Sequence, residues 1–164
     1  MARVGTEVDL VPSILDRLLD DKPENRQQEP PATRFQRISQ LKESVARDLG
    51  ALLNTRQETL EEIPPEFTEL RSSLLVYGLP DFTSLSLMNP EDSRYIKRAL
   101  EQAIERFEPR LMRVRVEVEN PKSTDRGLHF HIEGLLQVRP APEFVSFDGV
   151  IQLGTRECVI EGQS

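Results

Sequence analysis

The chain is 164 residues long, room for one globular domain with an extension and too little for a two-domain enzyme. Its 28 acidic against 21 basic residues leave a formal net charge of −7, which works against a sequence-wide attraction to nucleic acid or anionic lipid. No stretch approaches the roughly 20 apolar residues of a membrane span, and the first residues run into Glu7 and Asp9 instead of an apolar leader; the single cysteine, Cys158, excludes an intramolecular disulfide or a cysteine cage for zinc.

Ile14, Leu15, Leu18 and Leu19 make one apolar stripe and predict a short amphipathic helix. Residues 21–33, with Lys22-Pro23-Glu24 and Glu29-Pro30-Pro31, hold almost nothing to bury and read as a flexible linker. A short helix on a tether is marginal in water and gains stability by docking, either on its own domain or on a partner. Residues 1–33 are therefore expected to form a tethered helix and linker, and residues 34–164 a single domain. Ile38, Leu41, Val45, Leu49, Leu52 and Leu53 share a face and predict a helix of about four turns, ended by Asn54-Thr55-Arg56, while Asp48 falls elsewhere. Residues 57–73 read as loop. Residues 74–82 crowd apolar side chains around Gly78 and Pro80 and are expected as a largely buried loop.

Asn89-Pro90-Glu91-Asp92 supplies an N-cap, a proline for the first turn and two carboxylates for the helix dipole. Ile96, Ala99, Leu100, Ala103, Ile104 and Phe107 continue the buried face until Pro109 stops it. Strands follow. Met112, Val114, Val116 and Val118 alternate with Arg113, Arg115, Glu117 and Glu119; then Leu128, Phe130, Ile132, Leu136 and Val138, with Gly134 in register, oppose His129, His131, Glu133 and Gln137. Residues 145–153 and 156–160 complete the set. The order predicts an α+β fold, a small antiparallel or mixed sheet against two main helices.

Three constellations invite a site. His129 and His131 stand about 6.6 Å apart on one strand face, but Glu133 lies about 13 Å from His129, so a solvated strand face is preferred to a metal site. Glu101, Glu105 and Glu108 sit at helical spacing beside Arg98, Arg106 and Arg110 without an aromatic sugar platform, and read as a charged helix face in preference to a glycosidase pair. With no nucleophile elbow, phosphate loop, dinucleotide or zinc-protease motif, no catalytic residue, metal or cofactor is assigned. Glu108-Pro109-Arg110 is different: an ion-pairing carboxylate and a fork-shaped guanidinium flank a rigid proline where helix hands over to strand. It reads equally as a helix stop or as a corner that recognises another chain.

Ser13-Ile14-Leu15-Asp16-Arg17-Leu18, the run from Val45 through Leu52-Leu53-Asn54-Thr55-Arg56, Tyr77-Gly78-Leu79-Pro80-Asp81, and Phe107-Glu108-Pro109-Arg110-Leu111 resemble, in that order, the TssE family. These are baseplate wedge subunits of the bacterial type VI secretion system, within the phage tail baseplate group labelled lysozyme-like. The resemblance implies a non-enzymatic structural subunit on the cytoplasmic side, in a baseplate docked at the inner membrane complex. Its partners would be other wedge subunits and contractile sheath subunits, with no nucleic acid and no direct membrane insertion. It further implies that Glu108, Pro109 and Arg110 hold the wedge together and that the sheet accepts sheath strands. Ile14, Leu15 and Leu18 of the tethered helix are expected to dock on a partner, and Val159 marks the final strand as the expected accepting edge. The lysozyme label leaves a peptidoglycan-cleaving glycosidase as the alternative.

Overall fold

The computed structural model describes residues 34–57, 66–82, 85–86, 89–119, 127–152 and 157–162. The expected helix carrying Ile14, Leu15 and Leu18, and the linker after it, lie outside the described residues. Helix α1 spans Arg34–Asn54 and buries Val45, Leu49, Leu52 and Leu53, the stripe expected of it. Two 3₁₀ turns follow, Thr68–Ser72 and Leu74–Val76. Three residues per turn point only one of Leu74, Leu75 and Val76 inward, so Val76 is buried while Leu74 is 84% exposed, against the expectation of a largely buried loop.

Helix α2 spans Pro90–Phe107, and Asn89 caps it as its sequence requires, its Oδ1 accepting from the Glu91 N–H at 3.0 Å. Four strands follow: β1 (Leu111–Val118), β2 (Gly127–Leu136), β3 (Glu143–Gln152) and β4 (Cys158–Gly162). They form one sheet in the order β1-β2-β3-β4, antiparallel throughout. Both helices lie on one face, α1 against β4 and α2 against β1. Val45, Leu49, Ile96, Leu100, Ile104, Val116, Ile132 and Phe147 are fully buried between the layers. Each such side chain contributes roughly 1.5–3 kcal/mol of transfer free energy, which is what holds helix to sheet. No helix among the described residues is long and apolar enough to cross a membrane.

Strand β2 alternates as expected, with Leu128, Phe130, Ile132, Gly134 and Leu136 inward. Strand β1 does not. Met112 is opposite Leu135 and Arg115 opposite Glu133, so Arg113 and Val114 share the place facing Gly134, and Arg113 takes the left-handed region at φ 53°. This bulge resets the alternation, turning Leu111 inward and leaving Met112 half-buried on the other face. At the sheet centre Phe130 pairs with Gly149, and its ring occupies the space a side chain there would need: a Cβ on Gly149 would stand 2.2 Å from Phe130 Cζ.

Candidate functional site: a cleft at the Glu-Pro-Arg corner

Helix α2 stops at Phe107 because Pro109 cannot continue it, and the chain turns through Glu108, Pro109 and Arg110 into β1. The Glu108 N–H donates to the Ile104 carbonyl (2.8 Å) and the Leu111 N–H to the Glu108 carbonyl (3.1 Å). Gln137, just past β2, holds the corner from the side. Its N–H donates to the Arg110 carbonyl (2.8 Å) and its Nε2 to the Pro109 carbonyl (3.0 Å).

The Arg110 side chain folds back over this turn. Nε donates to Glu108 Oε1 (2.7 Å), Nη2 to Glu108 Oε2 and to Asp48 Oδ2 (2.5 Å), and Nη1 to Ser44 Oγ (3.0 Å). The Arg110 backbone N–H also reaches Glu108 Oε1 (3.1 Å). Ser44 and Asp48 stand one turn apart on α1, so a single guanidinium joins that helix to the corner. Glu108 is only 3% exposed, a depth at which a carboxylate is tolerated because a cation faces it. Conversely, the hydrogen bond to Glu108 is the main reason the guanidinium pKa rises above its ordinary value, with burial opposing and Asp48 adding to the rise. Nε, both hydrogens of Nη2 and one of Nη1 are taken by the chain itself, which leaves one N–H of the five for anything else.

Beside this cluster lies a cleft of about 390 Å³, lined by apolar Leu49, Leu52 and Phe107, by Tyr77, and by the polar wall of Asp48, Glu108 and Arg110. The Tyr77 and Phe107 rings meet edge to face, centroids 5.1 Å apart. Burial first, and then the nearby Asp48 and Glu108 carboxylates, push the Tyr77 phenol above its ordinary pKa, so the cleft presents a neutral hydroxyl.

Tyr77 is placed by its neighbours. The Leu79 N–H donates to the Thr55 carbonyl and the Gln57 N–H to the Leu79 carbonyl, each at 2.8 Å, so the chain after α1 runs parallel to the Gly78-Leu79 segment. Gly78 sits at φ 103° with its α-carbon against that segment; a Cβ would stand 2.3 Å from the Thr55 carbonyl oxygen. Arg56 and Asp81 close the contact with an ion pair at 2.6 Å. Leu52-Leu53-Asn54-Thr55-Arg56, Tyr77-Gly78-Leu79-Pro80-Asp81 and Phe107-Glu108-Pro109-Arg110 are thereby one place in space.

The other residues singled out in the sequence lie elsewhere. Val159 is on β4, at the border of the sheet, with its side chain 52% exposed. Its backbone faces inward, however: the Gln152 N–H donates to the Glu157 carbonyl (3.0 Å), and antiparallel alternation then makes Val150 and Val159 a hydrogen-bonded pair. The outward groups belong to Cys158, Ile160 and Gly162. On the solvent face of the sheet, His131 Nδ1 lies 2.6 Å from Asp148 Oδ1 and its Nε2 3.8 Å from Glu133 Oε1. Among the described residues no group of three or more His, Cys, Asp or Glu is placed to hold a metal ion. Glu101 Oε1 accepts from the Val116 N–H at 3.0 Å. Ser44, Asp48 and Tyr77 are the site residues that sequence reasoning did not find. Asp48 adjoins the apolar stripe, and a carboxylate at such a border is the one local hint that it faces something charged.

Fold and site define a two-layer α+β module with a rigid, part-polar cleft where the first helix, the intervening loop and the second helix meet. The chain belongs to the baseplate wedge protein gp25 family, whose model matches residues 39–141. The match includes the cleft and ends before β3. It bears out the resemblance to baseplate wedge subunits read from the sequence. Among solved structures, a chain of "The baseplate complex from the type VI secretion system" is 22% identical, with a TM-score of 0.47 over 70% of this chain and 96% of that chain. No curated protein matches.

Proposed function

We propose that this chain is a structural subunit of a type VI secretion baseplate wedge, joining other wedge subunits at the Glu-Pro-Arg cleft and starting contractile sheath assembly from the sheet. The observation that carries the reading is the convergence of three sequence-distant motifs on one pre-ordered cleft within the family match. A cleft whose charges are already fixed by its own chain loses little entropy when an apolar side chain enters it, and the remaining Arg110 N–H gives that entrant an orientation. Residues 1–33 add a second contact through Ile14, Leu15 and Leu18, residues 34–164 being the domain proper. The baseplate sits on the cytoplasmic side at the inner membrane complex, and contractile sheath subunits assemble on the sheet.

The reading assigns no catalytic residue. Glu101 and Glu108, two of the three carboxylates a glycosidase would draw on, are each committed to a donor of the chain itself. The deciding experiment is co-purification of the full chain with the other wedge subunits, wild type against Leu52→Met and Arg110→Lys, alongside turnover of purified peptidoglycan. Binding weakened by Arg110→Lys with no turnover is expected. Equal binding by all three chains would take the cleft out of the interface and return the Glu-Pro-Arg corner to a helix stop, and turnover lost in Glu105→Gln would replace this reading with the glycosidase.

A further inference from the structure

Every sheet that is not a barrel has two edges, and each edge strand turns every second N–H and C=O toward whatever lies outside. In β4 those residues are Cys158, Ile160 and Gly162, as the ladder with β3 requires. Cys158 is already engaged. Asn54, the last residue of α1, donates from Nδ2 to the Cys158 carbonyl (2.8 Å) and accepts at Oδ1 from the Cys158 N–H (2.7 Å). A carboxamide in this position makes the two-bond contact that a residue of a neighbouring strand would make. Its second hydrogen goes to the Gly50 carbonyl at 2.7 Å, so the side chain is fixed from both directions.

The opposite edge has a counterpart. The outward N–H of Val116 in β1 is taken by Glu101 of α2. Each helix thus lends one polar side chain to the edge it covers. Beyond Asn54, among the described residues, nothing meets the outward groups of Ile160.

The partner against which such an edge needs closing is another copy of itself. Two β4 strands meeting antiparallel about Ile160 would set Cys158 of one against Gly162 of the other, in register. Of the bonds such a pair makes, all but those between the two Ile160 residues use Cys158. With Asn54 in place only the Ile160 pair is left, too little to hold two chains. We propose that the Asn54 carboxamide locks the β4 edge against a second copy of this chain, and that its removal lets two copies pair β4 to β4. The lock is a property of the isolated chain and does not depend on the baseplate reading.

The test uses the full chain. Wild type is expected to run as a monomer by size-exclusion chromatography with light scattering, and Asn54→Ala to move toward twice that mass as concentration rises. Ile160→Pro added to Asn54→Ala should restore the monomer, because it removes an outward N–H that β3 does not use. In wild type, amide exchange should be at least about tenfold slower at Cys158 than at Ile160. A folded Asn54→Ala chain that stays monomeric, a dimer that survives Ile160→Pro, or equal exchange at Cys158 and Ile160 would each overturn the proposal. Should Asn54→Ala not fold, Asn54→Asp keeps the size and the acceptor, loses the donor to the Cys158 carbonyl, and goes through the same measurements.

Discussion

Arg110 and Glu108, two residues apart across Pro109, close on each other at two points, and the same guanidinium reaches back to Ser44 and Asp48 on α1. The planar fork suits this because its donors diverge at fixed angles, which an ammonium cannot imitate. The corner is therefore part of the fold before it is part of any interface.

Arg110→Ala leaves a nearly buried carboxylate without its cation and should lower stability by about 3–5 kcal/mol. Arg110→Lys keeps the charge and loses the second point of contact, so an intermediate loss is expected. Chemical denaturation of the two variants beside wild type gives the order.

Gly149→Ala drives a methyl into the Phe130 ring at the centre of the sheet, where neither strand has room to move. A loss of about 1–3 kcal/mol is expected, as for other overpacked cores. Phe130→Leu alone should also destabilise, yet combined with Gly149→Ala it should recover part of the loss. A double-mutant cycle with a coupling energy near zero would contradict the contact.

Gly78→Ala and Arg56→Ala test the two halves of one contact and should differ sharply. Alanine at 78 combines a left-handed backbone with a clash against the Thr55 carbonyl, and a loss above about 2 kcal/mol is expected. The Arg56–Asp81 pair is mostly exposed, so Arg56→Ala should cost no more than about 1 kcal/mol and less in high salt. Thermal melts at low and high ionic strength separate them.

Burial pushes the Cys158 thiol from 9.0 up to about 12. The folded chain then holds a proton that the unfolded chain releases above pH 9, so this contribution is intact below 9 and is lost as pH rises toward 12, by about 1.4 kcal/mol per pH unit. Cys158→Ala should lose less stability over that window than wild type. Disulfide reagents at neutral pH should label the native thiol far more slowly than the unfolded one.

The parts of this fold that are legible in the sequence are those whose causes are local. Asn89-Pro90-Glu91-Asp92 announces α2 because capping acts within one turn, and β2 shows its inward face because its alternation is unbroken. Strand β1 misleads by one residue at its start: the bulge at Arg113 comes from pairing with Gly134, a partner that periodicity along one strand does not contain. The candidate site divides the same way. The Glu108-Pro109-Arg110 corner stands out by composition, whereas Ser44 and Asp48 belong to it only through contacts 66 and 62 residues away in sequence. Leu74 and Leu75 look like core by hydropathy and lie outside because a 3₁₀ turn has one inward position in three.

The last two turns of α1 join the cleft to the sheet border directly. Asp48 holds the cleft's guanidinium and Asn54 closes β4, and the helix rises only about 9 Å between them. A segment that short neither bends nor stretches appreciably under thermal load. Cleft and border therefore form one stiff unit, like two faces cut on the same block, and whatever is seated in the first has its distance and angle to the second set by two hydrogen-bonded turns of helix.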